Sequence, residues 1–543
     1  MENLRWSGLR PHHHRFPFFS VYQLSFNSLS LYHGSEPASV PRRMDGGDQP
    51  GHARSGTMGA AIQSQRTFAR SLTTGVSLVL LLVTCSPQRP IAIQTPTPNA
   101  EGVGAQGMGD RYFPTMGNGG YDVQHYTLDL TPDLERRTLA GTVSLETTAT
   151  QDLTRFNLDF LGFEILALTV DGRPASYARD SGELTITPAE PISRGATFTV
   201  AVTYRGAPNQ AAPAGQRAYA RGWVFYEGGA YVASEPDGAS AWFPVNMHPL
   251  DKATYTFRLM VARPNVVVAN GVLVDTIDGG DTRTYVWEAR DPMAAYLVTV
   301  AVGEFEEQTF TTSGGVPIRN YFAPGLPETQ IELHAGTSEM LDYYASVFGP
   351  YPFEAYGVVV HNLPLGFALE SQTLSLFGIE TRGVQVVAHE LAHQWFGDSV
   401  TLARWEDVWL NEGFATYASL LCLEHFAGSE PFEEQIRTTY WTMNTANGGR
   451  TILIGDPGPA DLFDHAVYLR GALALHALRQ QVGDEPFFRI LRTYASRFRD
   501  GNATTGDFVA LAEDISGQDL ARFFERWLYR ERIPFVAGWG AEP

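Results

Sequence analysis

Cysteine is nearly absent: the 543 residues hold only Cys85 and Cys422. One pair cannot build a disulfide framework, so the fold has to rest on hydrophobic cores. That count says nothing against a place outside the cytoplasm. Positive charge is also scarce, with 39 Lys and Arg against 59 Asp and Glu and a net charge of −20. Such a balance argues against nucleic acid as the main partner. An acidic surface favours cationic substrates such as peptide N-termini, but the usual explanation is solubility. A long apolar run is missing as well. Residues 72–84 are uncharged and mostly apolar, but a bilayer span takes about 20 such residues. What is present is globular in character: 44% hydrophobic and 18% charged residues, and length enough for two or three domains with full cores.

The chemistry concentrates in one stretch. His389, Glu390, Leu391, Ala392 and His393 read H-E-x-x-H. Residues i and i+4 share a helix face, so both imidazoles can aim at one ion. No Gly or Pro interrupts 386–396, and Val387, Leu391 and Trp395 recur at helical spacing, with Gly397 as a stop. On its own the motif fits a metal site or two surface histidines on an ordinary helix. Glu412 follows at 412 − 393 = 19 residues, early in a second helical run over 407–426 that ends at Gly428. Two packed antiparallel helices would bring it to the histidines as a third ligand. Two His and one carboxylate with an open fourth position are a catalytic zinc set, with Glu390 beside it as general base.

The segments His389 to Asp398 (H-E-L-A-H-Q-W-F-G-D) and Trp409 to Ala415 (W-L-N-E-G-F-A) closely resemble the gluzincin aminopeptidases of the aminopeptidase N group. The resemblance runs from about Gly117 to the C-terminus. It implies a multidomain α+β protein: an N-terminal β-sandwich or saddle domain, then a thermolysin-like, mostly helical zinc-peptidase domain. It also implies one Zn2+ held by His389, His393 and Glu412. Many relatives carry a further large helical domain. The sequence ends soon after Trp539, so a short form is expected, with a more open site unless the protein dimerises.

Taken in order, residues 1–57 lack periodicity and are expected to be a non-structural extension. Residues 58–85 read as an export signal: Arg66 and Arg70 precede the apolar run, which ends in Leu82-Val83-Thr84-Cys85. The ending resembles a bacterial lipoprotein box, with Thr84 where a smaller residue is usual. It implies membrane attachment through a lipidated Cys85, in the cell envelope or, with a plain cleaved signal, secretion. Residues 86–117, rich in Pro, Gly, Thr and Gln, are expected to be a flexible linker. From 118 to 305 the pattern is strand-like: Phe198, Val200, Val202 and Tyr204 alternate, Asp171-Gly172 and Asn270-Gly271 mark turns, and 296–302 reads as a buried strand. The catalytic domain is expected over 306–543.

Three further residues enter through the resemblance. Glu235, before Pro236, matches the family glutamate that binds the substrate's free α-amine; Ala233 stands where the family commonly has Gln. Glu370 matches the glutamate of the exopeptidase signature Gly-x-Met-Glu-Asn, with Phe367, Leu369 and Ser371 at the other three positions. Gly366 could replace the missing glycine if the loop shifts by one. Tyr468, in Tyr468-Leu469-Arg470-Gly471, matches the family tyrosine that stabilises the transition state. Read without the family, the two glutamates are ordinary loop or edge carboxylates and Tyr468 is a core tyrosine. The expected activity is hydrolysis of N-terminal peptide bonds in peptides with a free N-terminus. The departures around Glu370 leave a zinc hydrolase of altered specificity, endopeptidase or epoxide hydrolase-like, as the rival. An inactive binding protein on the same fold is the remaining alternative.

Overall fold

The computed structural model describes residues 101–208 and 222–540. They all belong to one compact unit; the other, Ser35–Thr97, lies outside the described residues. So do the expected extension, the export signal with Cys85, and the linker as far as residue 100.

Alternating sequence builds the first half. In the strand Thr197–Gly206 the alternate residues Phe198, Val200, Val202 and Tyr204 are buried, while Thr and Ala face outward. It belongs to an eight-stranded sheet ordered Val272–Asp278, Thr282–Ala294, Lys252–Ala262, Tyr121–Asp133, Thr138–Ala149, Thr197–Gly206, Glu164–Val170, Arg173–Pro174. Tyr121–Asp133 runs parallel to Lys252–Ala262, with His125 opposite Thr254, and antiparallel to Thr138–Ala149, with Tyr126 opposite Leu145. Asp171 and Gly172 both adopt positive φ, 51° and 71°, which is the geometry of a two-residue hairpin turn. A four-stranded and a three-stranded sheet complete the β region.

Two expectations need correction here. Residues 101–117 are packed, not a tether. Asp110 is buried and accepts from the N–H groups of Tyr112 (2.8 Å) and Phe113 (3.1 Å), an Asx turn that its composition conceals. Its other oxygen accepts the N–H of Trp405 at 3.0 Å, and Trp405 Nε1 donates to Met116 Sδ at 3.1 Å. These contacts tie the chain to the turn before Trp409. The second correction concerns 296–302. The segment is buried, but Ala295–Leu297 is a 3-10 turn and only Val300–Gly303 is a strand. Tertiary bonds override the β-propensity: the Tyr296 hydroxyl donates to the Gly397 carbonyl at 3.1 Å and accepts from Asn411 Nδ2 at 3.3 Å.

The second half opens on a mixed four-stranded sheet, Glu306–Thr311, Pro317–Phe322, Tyr356–His361 and Ser375–Gly378. Helices follow. The H-E-x-x-H helix is Val384–Ala392, the glutamate helix Trp409–Ala427, and the tyrosine helix His465–Val482, capped by Asp464 accepting from Ala466 N–H. The glutamate helix ends at Gly428 as expected, and Cys422 within it is a buried free thiol. The H-E-x-x-H helix stops earlier than expected, at Ala392. Beyond it the N–H groups of Asp398 and Ser399 reach back to the carbonyls of His393 (3.0 Å) and Gln394 (3.3 Å), a widened turn that apolar spacing does not reveal. Among the described residues no helix is long and apolar enough to cross a membrane.

The glutamate and tyrosine helices cross on two glycines. A Cβ placed on Gly413 would lie 2.9 Å from Gly471 Cα, and one on Gly471 would lie 2.7 Å from Gly413 Cα. Neither position has space for a methyl group. Gly471→Ala is expected to destabilise the protein by about 1–3 kcal/mol through overpacking, measured by denaturant unfolding, and to lower activity, because Glu412 and Tyr468 flank this crossing.

Candidate active site

The H-E-x-x-H helix lies against the glutamate helix, and Glu412, in the first turn of the latter, faces both histidines. His393 remains in helical geometry as the C-cap, φ −56° and ψ −26°, so the i, i+4 phase survives the early end of the helix. His389 Nε2 and His393 Nε2 are 3.0 Å apart; Glu412 Oε2 is 3.2 Å from the first and 3.5 Å from the second. Donors bound tetrahedrally to zinc at its usual bond lengths stand about 3.3 Å apart, so the three atoms fit that ion. The remaining ring nitrogens are oriented as ligation requires. His393 Nδ1 is 3.0 Å from the Phe396 carbonyl, which can only accept, and His389 Nδ1 is 3.4 Å from Thr416 Oγ1, so both rings turn Nε2 inward.

The electrostatics agree. Burial raises Glu412, yet His393 and His389 hold its carboxyl down at about 2. Burial alone would lower His393, but Glu370 and Glu412 push it well above the usual imidazole range: the centre favours positive charge at this point. Glu390 is buried on the same helix, and its carboxyl is raised by burial and then by Glu370 and Glu412. One oxygen of Glu390, one of Glu370 and a His393 ring nitrogen lie within 4.8 Å of one another; so do oxygens of Glu235, Glu370 and Glu412.

Glu370 is therefore shared by both groups, and four carboxylates crowd one water-poor space. Glu235 Oε1 and Glu370 Oε1 are buried and have no hydrogen-bond partner. Burial raises both side chains, as does Glu370 for Glu235. Uncompensated buried carboxylate oxygens are costly, so a cationic donor would suit this pair chemically. The ring of Tyr468, buried on the tyrosine helix, stacks on His389 with centroids 5.9 Å apart. The seven residues expected to form the site thus converge on one region.

The departures around Glu370 have a structural setting. Leu369 pairs with Leu376 through bonds of 2.9 and 2.8 Å, and Ser371 is fully buried. Gly366 holds φ 84°, and a Cβ there would meet nothing within 4 Å, so that glycine leaves open space beside the strand. Sequence reasoning missed the supports of this loop. Asn270, expected only as a turn residue, is buried and donates from Nδ2 to Gln372 O at 2.7 Å. Thr373 adopts φ 65°, unusual for a β-branched residue, and its Oγ1 accepts the Gly271 N–H at 2.8 Å. The Asn-Gly pair was the one available signal. His476 is enclosed by Phe432, Tyr417 and Trp539, and burial lowers it to about 4.

Comparison with known proteins adds the following. The model for the Peptidase family M1 domain matches residues 335–527, and that for the Peptidase M1 N-terminal domain matches residues 122–297. Aminopeptidase M1-A of Oryza sativa subsp. japonica is 27% identical over 454 residues, 76% of this chain and 51% of that protein. Glutamyl aminopeptidase of Sus scrofa is 26% identical over 458 residues, 76% of this chain and 48% of that protein. The chain spans about half the length of these curated relatives. A crystal structure of an M1 zinc metallopeptidase from Deinococcus radiodurans, a glutamate-to-alanine mutant bound to a Tyr-Ser-Ala substrate, superposes with a TM-score of 0.74. It is 33% identical and covers 79% of this chain and 99% of its own.

Proposed function

The chain belongs to peptidase family M1, and from that premise we propose that it is a zinc-dependent aminopeptidase acting on peptides with a free N-terminus. The observation that carries the reading is the pair of partnerless buried oxygens, Glu235 Oε1 and Glu370 Oε1, beside the His389, His393 and Glu412 triad. A primary ammonium supplies the donors and the charge that this pair lacks. Binding it there places the first peptide bond over the triad and turns the encounter into an oriented, intramolecular one.

His389, His393 and Glu412 would hold the zinc, which would supply a water of lowered pKa and polarisation of the scissile carbonyl. Glu390 accepts the proton of the attacking water and passes it to the leaving amine. The Tyr468 phenol donates a hydrogen bond where negative charge develops on the carbonyl oxygen. Burial of the surrounding carboxylates keeps bulk water from competing for the ammonium.

The test compares aminoacyl-coumarins with their N-acetyl forms and with internally quenched peptides. Glu370→Ala is expected to raise KM for the free-amine substrates about tenfold or more, the scale of one lost charge-assisted hydrogen bond, and to narrow the preference over acetylated ones. An unchanged preference removes Glu370 from amine recognition.

The export pattern over 58–85 supports a place outside the cytoplasm, with Cys85 as the acylated anchor on a membrane. Palmitate labelling of the expressed chain is expected to be lost in Cys85→Ser; label retained in that variant sinks this part of the proposal.

A further inference from the structure

Gln394 directly follows the second histidine of the triad and is fully buried. Its side-chain amide uses all its hydrogen-bonding positions. Nε2 donates to the Glu370 carbonyl at 2.9 Å and to Asp398 Oδ2 at 2.7 Å; Oε1 accepts the Thr373 N–H at 2.8 Å and the Tyr351 hydroxyl at 3.2 Å. One planar group therefore joins the turn after His393 to both ends of the 370–373 loop. That loop needs holding. Thr373 sits at φ 65°, a conformation that persists only where the surroundings impose it. Asn270 Nδ2 and the Gly271 N–H fix the loop from the β region, through Gln372 O and Thr373 Oγ1. Gln394, the residue that follows a proposed metal ligand, fixes it to the turn after His393.

We propose that Gln394 is a positioning residue: its amide bridge between the His393 turn and the backbone of Glu370 and Thr373 sets where Glu370 stands over the triad, and so which amine the site accepts. This deepens the aminopeptidase reading and rests on it. In a free-amine substrate the ammonium and the scissile carbonyl are separated by one Cα. The carboxylate that grips the ammonium consequently has little latitude relative to the metal ligands. A rigid amide with two N–H donors and one oxygen that accepts twice meets that demand; a carboxylate or an alkyl group in its place does not. In Gln394→Glu an acceptor faces two acceptors, Asp398 Oδ2 and the Glu370 carbonyl, and pushes the loop away. In Gln394→Leu all four bonds vanish.

Wild type, Gln394→Glu and Gln394→Leu are to be compared for zinc per chain, melting temperature, kcat and KM on aminoacyl-coumarins, and the preference for free over N-acetyl substrates. The expected result is one zinc per chain throughout, KM raised about tenfold or more, and a narrowed preference, in the folded fraction of each variant. A purely structural role would lower the melting temperature and the yield but leave KM and preference at wild-type values; that outcome overturns the proposal. Zinc lost with KM unchanged in the remaining active enzyme also overturns it. Should neither Gln394 variant fold, Tyr351→Phe decides: of the four amide bonds it removes only the 3.2 Å one, together with the hydroxyl's 3.0 Å bond to the Ala355 carbonyl, which lies outside the bridge. A KM raised in the same direction supports the bridge, and an unchanged KM refutes it. A wild type that ignores free-amine substrates overturns the aminopeptidase reading and this inference together. A wild type that cleaves them, with variants of unchanged KM and preference, overturns this inference alone.

Discussion

Glu390→Ala is expected to yield a folded, zinc-loaded protein whose kcat has fallen by about a thousandfold. The side chain sits on the H-E-x-x-H helix, buried, with an oxygen within 4.8 Å of a His393 ring nitrogen, yet it is not one of the three donors that fit the ion. Its removal therefore leaves the metal donors in place and deletes the group that accepts and returns a proton. General acid–base assistance is worth roughly 10²- to 10⁴-fold, and the same residue serves both proton transfers, which puts the expectation at the middle of that range rather than its foot. Stability should be little harmed, since a buried carboxyl pressed by Glu370 and Glu412 is itself costly. Steady-state kinetics with elemental analysis check both halves. A variant that turns over at the wild-type rate removes Glu390 from the mechanism, and one that has lost its zinc makes it a ligand instead.

The second large effect concerns Glu412. Glu412→Gln is expected to abolish activity and to lower zinc occupancy below one per chain, because two histidines alone make a poor structural cage and the neutral amide is a weaker donor than the carboxylate. The metal binds only the folded arrangement, so its loss should also appear in stability. For a wild type at zinc a thousandfold above its Kd, linkage contributes about 4 kcal/mol, seen as a rise in melting temperature on adding zinc. The variant should show a much smaller rise, and chelation of the wild type should reproduce the variant's behaviour. Wild-type zinc content and affinity in Glu412→Gln would mean that the three donors standing 3.0 to 3.5 Å apart are not the metal set.

The centre of the site was legible in the sequence because helical periodicity is a strong, local code. His389 and His393 share a face by spacing alone, and the run ending at Gly428 gave Glu412 its helix. The alternation at Phe198 to Tyr204 was equally plain. Glu235, Glu370 and Tyr468 were reached only by resemblance, since each is reached from a different element and no spacing rule joins them. What spacing concealed was set by tertiary bonds. The turn after Ala392 widens although the apolar pattern continues to Trp395 and Phe396. Asp110 folds a Gly- and Pro-rich stretch onto Trp405. Thr373 takes a backbone conformation that its side chain disfavours, under bonds from Gly271 and Gln394 that lie far away in sequence.

The crossing of Gly413 and Gly471 also limits how this protein can change. Glu412 is the residue before one of these glycines and Tyr468 lies three before the other, so one point of backbone contact keeps the acid and the phenol in step. When a side chain intrudes at an ordinary helix seam, trimming the opposing residue relieves it. Here the opposing residue has no atom left to trim. A second-site suppressor of Gly413→Ala is consequently not to be found at Gly471, nor the reverse. It would have to come from residues that shift a whole helix, and such a shift would carry the reacting groups out of alignment.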